Sequence, residues 1–179
     1  QSAGGSSVIQ LACGASAGLI MNPYLRYKVQ FTGGANSAQW KFKGSAHCAT
    51  SCINRISTYA NSVQIDNISN AWDVYDTLLA HSTSSTWLAN DAKLMLGADV
   101  AFTNAAAPGS AAMVFCAPLI GLLGSQSAFP AYLVNGTLQL QIDWQPSVVA
   151  MYEDAGTAAG YTGVTISDVQ LVYDKVMPE

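Results

Sequence analysis

PLIGLLGSQSAFPAYLVNGTLQLQIDW, residues 118–144, ends in the most regular alternation of the chain. Leu138, Leu140, Ile142 and Trp144 share one parity, and Thr137, Gln139, Gln141 and Asp143 the other. A period of two is that of a strand with one face in a core and one face wet. Just upstream, Asn135-Gly136 is favoured chemistry for a tight reversal, because both residues accept positive φ. Residues 131–134 are therefore expected to pair back onto the strand as a hairpin. No side chain between Asp99 and Asp143 is charged, and the prolines in that length forbid one continuous helix. Such a stretch is either deep in a fold or covered by neighbouring subunits.

At 179 residues the chain can bury one sizeable core and is short for two domains. Only 10% of its residues are charged, against about 25% in ordinary soluble proteins. Half are apolar, so the surface must be built mainly from Ser, Thr, Asn, Gln and Gly. A surface of that kind repels copies of itself poorly, and self-association is the natural expectation. The net charge of −4 and the scattered Lys and Arg give no clustered basic footprint for phosphate, which argues against nucleic-acid binding.

The four cysteines, Cys13, Cys48, Cys52 and Cys116, are too few and too scattered for a disulfide framework and read as buried thiols. Cys48 and Cys52, with His47 beside them, lack a second ligand pair to complete a metal site. No metal and no other cofactor is expected. Residues 1–25 carry no charge, but Gly14, Gly18 and Pro23 interrupt them and the basic start of a signal peptide is missing. No uninterrupted apolar run reaches the length of a membrane span.

Along the chain, residues 1–7 read as a mobile arm and residues 8–13 as an edge strand. Leu25, Tyr27, Val29 and Phe31 alternate with Arg26, Lys28 and Gln30, predicting a half-buried strand closed by Gly33-Gly34. Residues 39–43 follow with Trp40 and Phe42 inward. A strand pair over residues 52–59 and 62–68 is expected to bury Ile53, Ile56, Val63 and Ile65. The period then changes: Trp72, Tyr75, Leu78 and Leu79 predict a short helix from residue 69, and residues 85–96 a second one stopped by Gly97. Residues 98–112 read as a small-residue loop around Pro108-Gly109, and residues 112–117 as a buried strand. Residues 148–152 continue the β structure. In the last strand, residues 164–176, the parity of Val164 and Ile166 slips to that of Val169, Leu171 and Tyr173, which predicts a bulge near Ser167-Asp168. Short strands with long connections, and no repeating strand–helix–strand unit, point to a sandwich of two antiparallel sheets with two short inserted helices.

Catalytic patterns are present but lack their context. Gly14-Ala15-Ser16-Ala17-Gly18 is a literal G-x-S-x-G, yet Pro23 leaves no room for the helix that a nucleophile elbow requires. Asp66, Asp73 and Asp76 gather in one region, where a solvated helix face accounts for them as well as a carboxylate pair does. His47 and His81 are each isolated. Asn67-Ile68-Ser69 and Asn135-Gly136-Thr137 match the glycosylation acceptor pattern. No enzyme is expected.

Three stretches carry a resemblance. They are INRISTYANSVQIDNISNAWDVY (residues 53–75), the opening stretch (residues 118–144) and ISDVQLVYDKVMP (residues 166–178). Strand–turn–strand–helix, then a proline-flanked turn into a core strand, then a closing strand is similar to the first jelly roll of the double jelly-roll major capsid proteins of tailless icosahedral double-stranded DNA viruses. The resemblance implies an all-β jelly-roll sandwich and a structural subunit of the virion capsid. It implies self-assembly into trimeric, pseudo-hexameric capsomers, or hexamers if only one jelly roll is present, with copies of itself and other capsid proteins as partners. It divides the chain into residues 1–24, a flexible arm with an edge strand, and residues 25–179, one jelly roll that is the first half of a longer protein. The core expected to hold it is Leu25, Tyr27, Val29, Phe31, Leu138, Leu140, Ile142 and Trp144. The expected assembly contact is the loop of Ala106, Ala107, Pro108 and Gly109. The alternative is a jelly-roll module that binds carbohydrate or a receptor through exposed tryptophans and loop carboxylates.

Overall fold

The computed structural model describes residues 1–35, 37–82, 84–103, 111–156 and 158–177. The first strands are β1 (Ser6–Ala12), β2 (Leu19–Thr32), β3 (Gln39–Phe42), β4 (Ile53–Ala60) and β5 (Val63–Ser69). Helices α1 (Ala71–Ser82), α2 (Ser85–Ala89) and α3 (Asp91–Leu96) follow, then β6 (Phe102–Thr103), β7 (Met113–Pro118) and the one-turn α4 (Leu122–Ser125). The chain closes with β8 (Phe129–Pro130), β9 (Thr137–Trp144), β10 (Tyr152–Asp154) and β11 (Gly163–Val176). Every described strand pair is antiparallel.

One sheet runs β1-β9-β4-β5 and a second β11-β2-β7, with β8 beside the start of β2. A third, β10-β3-β6, is hydrogen-bonded separately, so the expected two sheets are three ladders around one core. Leu25, Tyr27, Val29 and Phe31 of β2 and Leu138, Leu140, Ile142 and Trp144 of β9 are 0–1% exposed. Burying each such side chain contributes about 1.5–3 kcal/mol. The Tyr27 and Trp144 rings meet at 5.3 Å, joining the two larger sheets. From β3, Trp40 and Phe42 pack edge-on against Phe31 and Phe115 at 4.8 and 5.1 Å. Within this apolar interior the Tyr27 hydroxyl and the Trp40 indole N–H have no hydrogen-bond partner among the described residues.

The expected hairpin does not form. Residues Ala131–Leu133 make a 3-10 turn, and the two neighbours of β9 are β1 and β4. Pro130 offers no N–H to a ladder, and both edges of β9 are already taken. The Asn135-Gly136 turn is fixed instead from β4's end: Asn61 Nδ2 donates to the Asn135 carbonyl at 2.6 Å, and Asn61 Oδ1 accepts from the Thr137 N–H at 3.0 Å.

Val63 and Ile65 are 66% and 44% exposed, not buried. The register slips between Thr58 and Tyr59, which leaves Ile65 as the extra residue and pairs Ile68 with Ile56. The second expected helix is broken at Asn90 into α2 and α3, and ends at Gly97 with φ 64°. Residues Val148–Ala150 form a 3-10 turn ahead of β10. Of the four thiols, Cys48 and Cys52 are buried, while Cys13 and Cys116 are half-buried; Cys116 sits opposite Arg26 on the outward parity of β7.

The arm expected over residues 1–24 is tied to the sandwich. Gln1 donates to and accepts from Ile166, at 2.5 and 2.7 Å, β1 pairs along the whole of β9, and β2 already begins at Leu19. β2 and β11 then run together over 14 residues each, with two compensating bulges. One places Asp168 at φ 50° between Ser167 and Gln170, and the other places Asn22 at φ 48° opposite the step from Val172 to Asp174.

Candidate functional site

The chemistry suggested by isolated motifs is not assembled. Ser16 lies in a turn that leads into β2, a strand, and its carbonyl accepts from Lys175 Nζ at 2.6 Å. The three carboxylates serve separate purposes. Asp66 accepts from the Leu122 N–H at 2.6 Å and fixes the start of α4. Asp76 accepts from the Ser45 and Ala46 N–H groups at 2.9 and 2.8 Å and ties α1 to the loop after β3. Asp73 lies in the first turn of α1. Among the described residues no three His, Cys, Asp or Glu side chains gather as a metal site. Asn67 is engaged by the Ser57 hydroxyl at 3.1 Å, and Asn135 is exposed. Burial pushes the Cys48 and Cys52 thiols up to about 12.

Two broad surfaces remain. On the outer side of β1-β9-β4-β5, Gln10, Gln139, Tyr59 and Gln64 stand in one uncharged rung across all four strands. The charge on this side is concentrated at Asp143. It takes the Arg55 Nε and Ser6 hydroxyl at 2.6 Å each, and the Gln141 amide at 2.9 Å. Burial pushes its carboxyl up, but the Ser6, Gln141 and Arg55 donors together outweigh burial and hold it below the usual carboxylate range. On the outer side of β11-β2-β7, Val172, Tyr24 and Pro118 form an apolar rung, with Val172 48% and Tyr24 36% exposed. Its cations are locally engaged: Arg26 donates to Gln170 at 3.1 Å, and Lys28 pairs with Asp168 at 2.5 Å. The loop of Ala106, Ala107, Pro108 and Gly109 lies outside the described residues.

No local pattern pointed to the cavity of about 520 Å³ lined by Lys43, Ser45, Trp72, Asp76, Gln145 and Glu153. Its walls come from β3's exit, α1 and the segment around β10, so only the third dimension brings them together.

No family model and no curated protein matches the sequence. Solved structures do match. PBCV-1 VP54, fitted into a reconstruction of the virophage Sputnik, superposes with a TM-score of 0.52 at 14% identity, over 90% of this chain. A quasi-atomic model of the PBCV-1 virus capsid gives 0.51 at 15% identity, again over 90% of this chain. The fold is that of a viral capsid jelly roll. This jelly roll spans 40% of each of those two longer chains. No helix among the described residues is long and apolar enough to cross a membrane.

Proposed function

We infer that the chain is a structural jelly roll of a viral major capsid protein, working in the virion shell and assembling with copies of itself into pseudo-hexameric capsomers. The observation that carries this reading is the match of 90% of the chain to capsid structures. The surface supports it independently. With 10% charged residues and uncharged or internally paired rungs on both outer faces, little electrostatic repulsion opposes contact between copies. The role uses no catalytic residue. In this reading the chain supplies one jelly roll of a two-roll subunit, three such subunits giving a six-fold outline, with other capsid proteins bound at its margins.

Negative-stain electron microscopy of the native material tests it. Hexagonal capsomers or icosahedral particles are the expected result; a dispersed small monomer overturns the assembly role. We assign the loop of Ala106, Ala107, Pro108 and Gly109 to a subunit contact. Ala106→Glu and Ala107→Glu should leave the circular dichroism spectrum unchanged and abolish capsomers, and normal assembly of both variants removes the loop from the interface.

A further inference from the structure

The cavity beside α1 has features that shell assembly does not require. It is a cleft open to solvent, and its volume, about 520 Å³, falls within the roughly 300–1,000 Å³ of small-molecule sites. Gln145 is 7% exposed and lines the cavity, where its side-chain amide offers both a donor and an acceptor. Lys43 is exposed at the rim without an ion-pair partner among the described residues. The half-buried indole of Trp72 supplies an apolar wall.

The two carboxylates are held in place from behind. Asp76 is fixed by two backbone amides, yet each of its oxygens keeps a further lone pair. Glu153 Oε1 lies 3.2 Å from His47 Nδ1, which also contacts the Phe42 carbonyl at 3.1 Å. Gly44 keeps the wall open: its φ is +105°, and a Cβ there would stand 2.8 Å from Asp76 Oδ1.

We propose that this cavity is a saccharide-binding site for a neutral hexopyranose. The apolar face of such a ring suits the Trp72 indole. Its hydroxyl hydrogens suit the free lone pairs of Asp76 and Glu153, and its oxygens suit the Lys43 ammonium and the Gln145 amide. Phosphate is disfavoured by two carboxylates in the lining, and a polyamine by the unpaired Lys43. The site is a property of the single subunit and does not rest on the assembly role.

The test is saturation-transfer NMR followed by calorimetric titration on the whole 179-residue chain. The probes are the methyl glycosides of glucose, galactose and mannose, with inorganic phosphate and putrescine as comparators. At least one glycoside should bind. Lys43→Met and Trp72→Leu should each weaken it by about tenfold or more, the loss expected from one hydrogen bond to a charged group or one stacked face. Tyr24→Leu, on the outer face of β2, should leave it unchanged. Should Trp72→Leu fail to fold, Lys43→Met decides, because that side chain is exposed. No transfer to any glycoside, binding indifferent to Lys43→Met, or binding of phosphate or putrescine alone overturns the proposal.

Discussion

Tyr27 is a case of a side chain kept for its ring. Its hydroxyl is buried without a partner among the described residues, and desolvation drives its ionisation well above the ordinary value, while its ring bridges the sheets at Trp144. Tyr27→Phe removes the unsatisfied hydroxyl and keeps the ring, so stability in urea unfolding should rise by about 1 kcal/mol. A fall of that size would reveal a partner for the hydroxyl. Asp143 is the opposite case, a half-buried carboxylate with all its donors in place. Asp143→Asn should cost about 1–2 kcal/mol at neutral pH, the scale of one charge-assisted hydrogen bond. Because its folded carboxyl lies below the ordinary value, its contribution is full above the unfolded value near about 3.9 and is lost as pH falls through the lower folded value. Urea midpoints measured between neutral pH and acid should therefore converge for the two proteins, and a constant gap would exclude this linkage.

The pair of long strands β2 and β11 depends on two residues that hold left-handed backbone at the bulges. At Asn22, where the side chain also donates to Asp174 at 2.9 Å, a β-branched residue is strained: Asn22→Val should cost about 1–2 kcal/mol and Asn22→Gly only a few tenths. Chemical denaturation of the two variants checks the order. The bulge at Asp168 was legible in the sequence because a one-residue insertion shifts the parity of Val169, Leu171 and Tyr173 relative to Ile166. The alternations of residues 25–31 and 138–144 were legible for the same reason, a period of two. What stayed hidden depended on the neighbours of each strand. Nothing local says that β9 takes β1 and β4 as partners, so Asn135-Gly136 reads as a hairpin turn although Asn61 holds it from another strand. Ile65 reads as core because its own bulge shows only against β4. The proposed saccharide cavity is invisible for the strongest form of this reason: Lys43, Trp72 and Gln145 come from three distant segments, and no single pattern joins them. Asp76 stands out among its acidic neighbours, but its partners, Ser45 and Ala46, lie 31 and 30 residues away in the chain.

For the subunit as a unit, the sparse charge makes a further prediction about assembly. If the proposed assembly uses the uncharged rungs and small residues, its contacts are screened little by salt, so capsomer yield should change less than about twofold between about 0.05 and 0.5 M NaCl. Sedimentation velocity measures it, and a steep fall with salt would place ion pairs at the contacts. The thiols carry a consequence of a different kind. Held up to about 12 by burial, Cys48 and Cys52 are almost entirely protonated at neutral pH and shielded from reagent, and therefore silent toward it, whereas Cys13 and Cys116 lie nearer the surface. Exposed to a chromogenic disulfide, the chain should react in two stages, and the second stage can proceed only as fast as the interior opens. Two cysteines thus serve as a built-in stopwatch for breathing, which can be read without any label on the free subunit and again on the capsomers of the proposed assembly. The ratio of the two readings is how far neighbours slow the opening of each jelly roll.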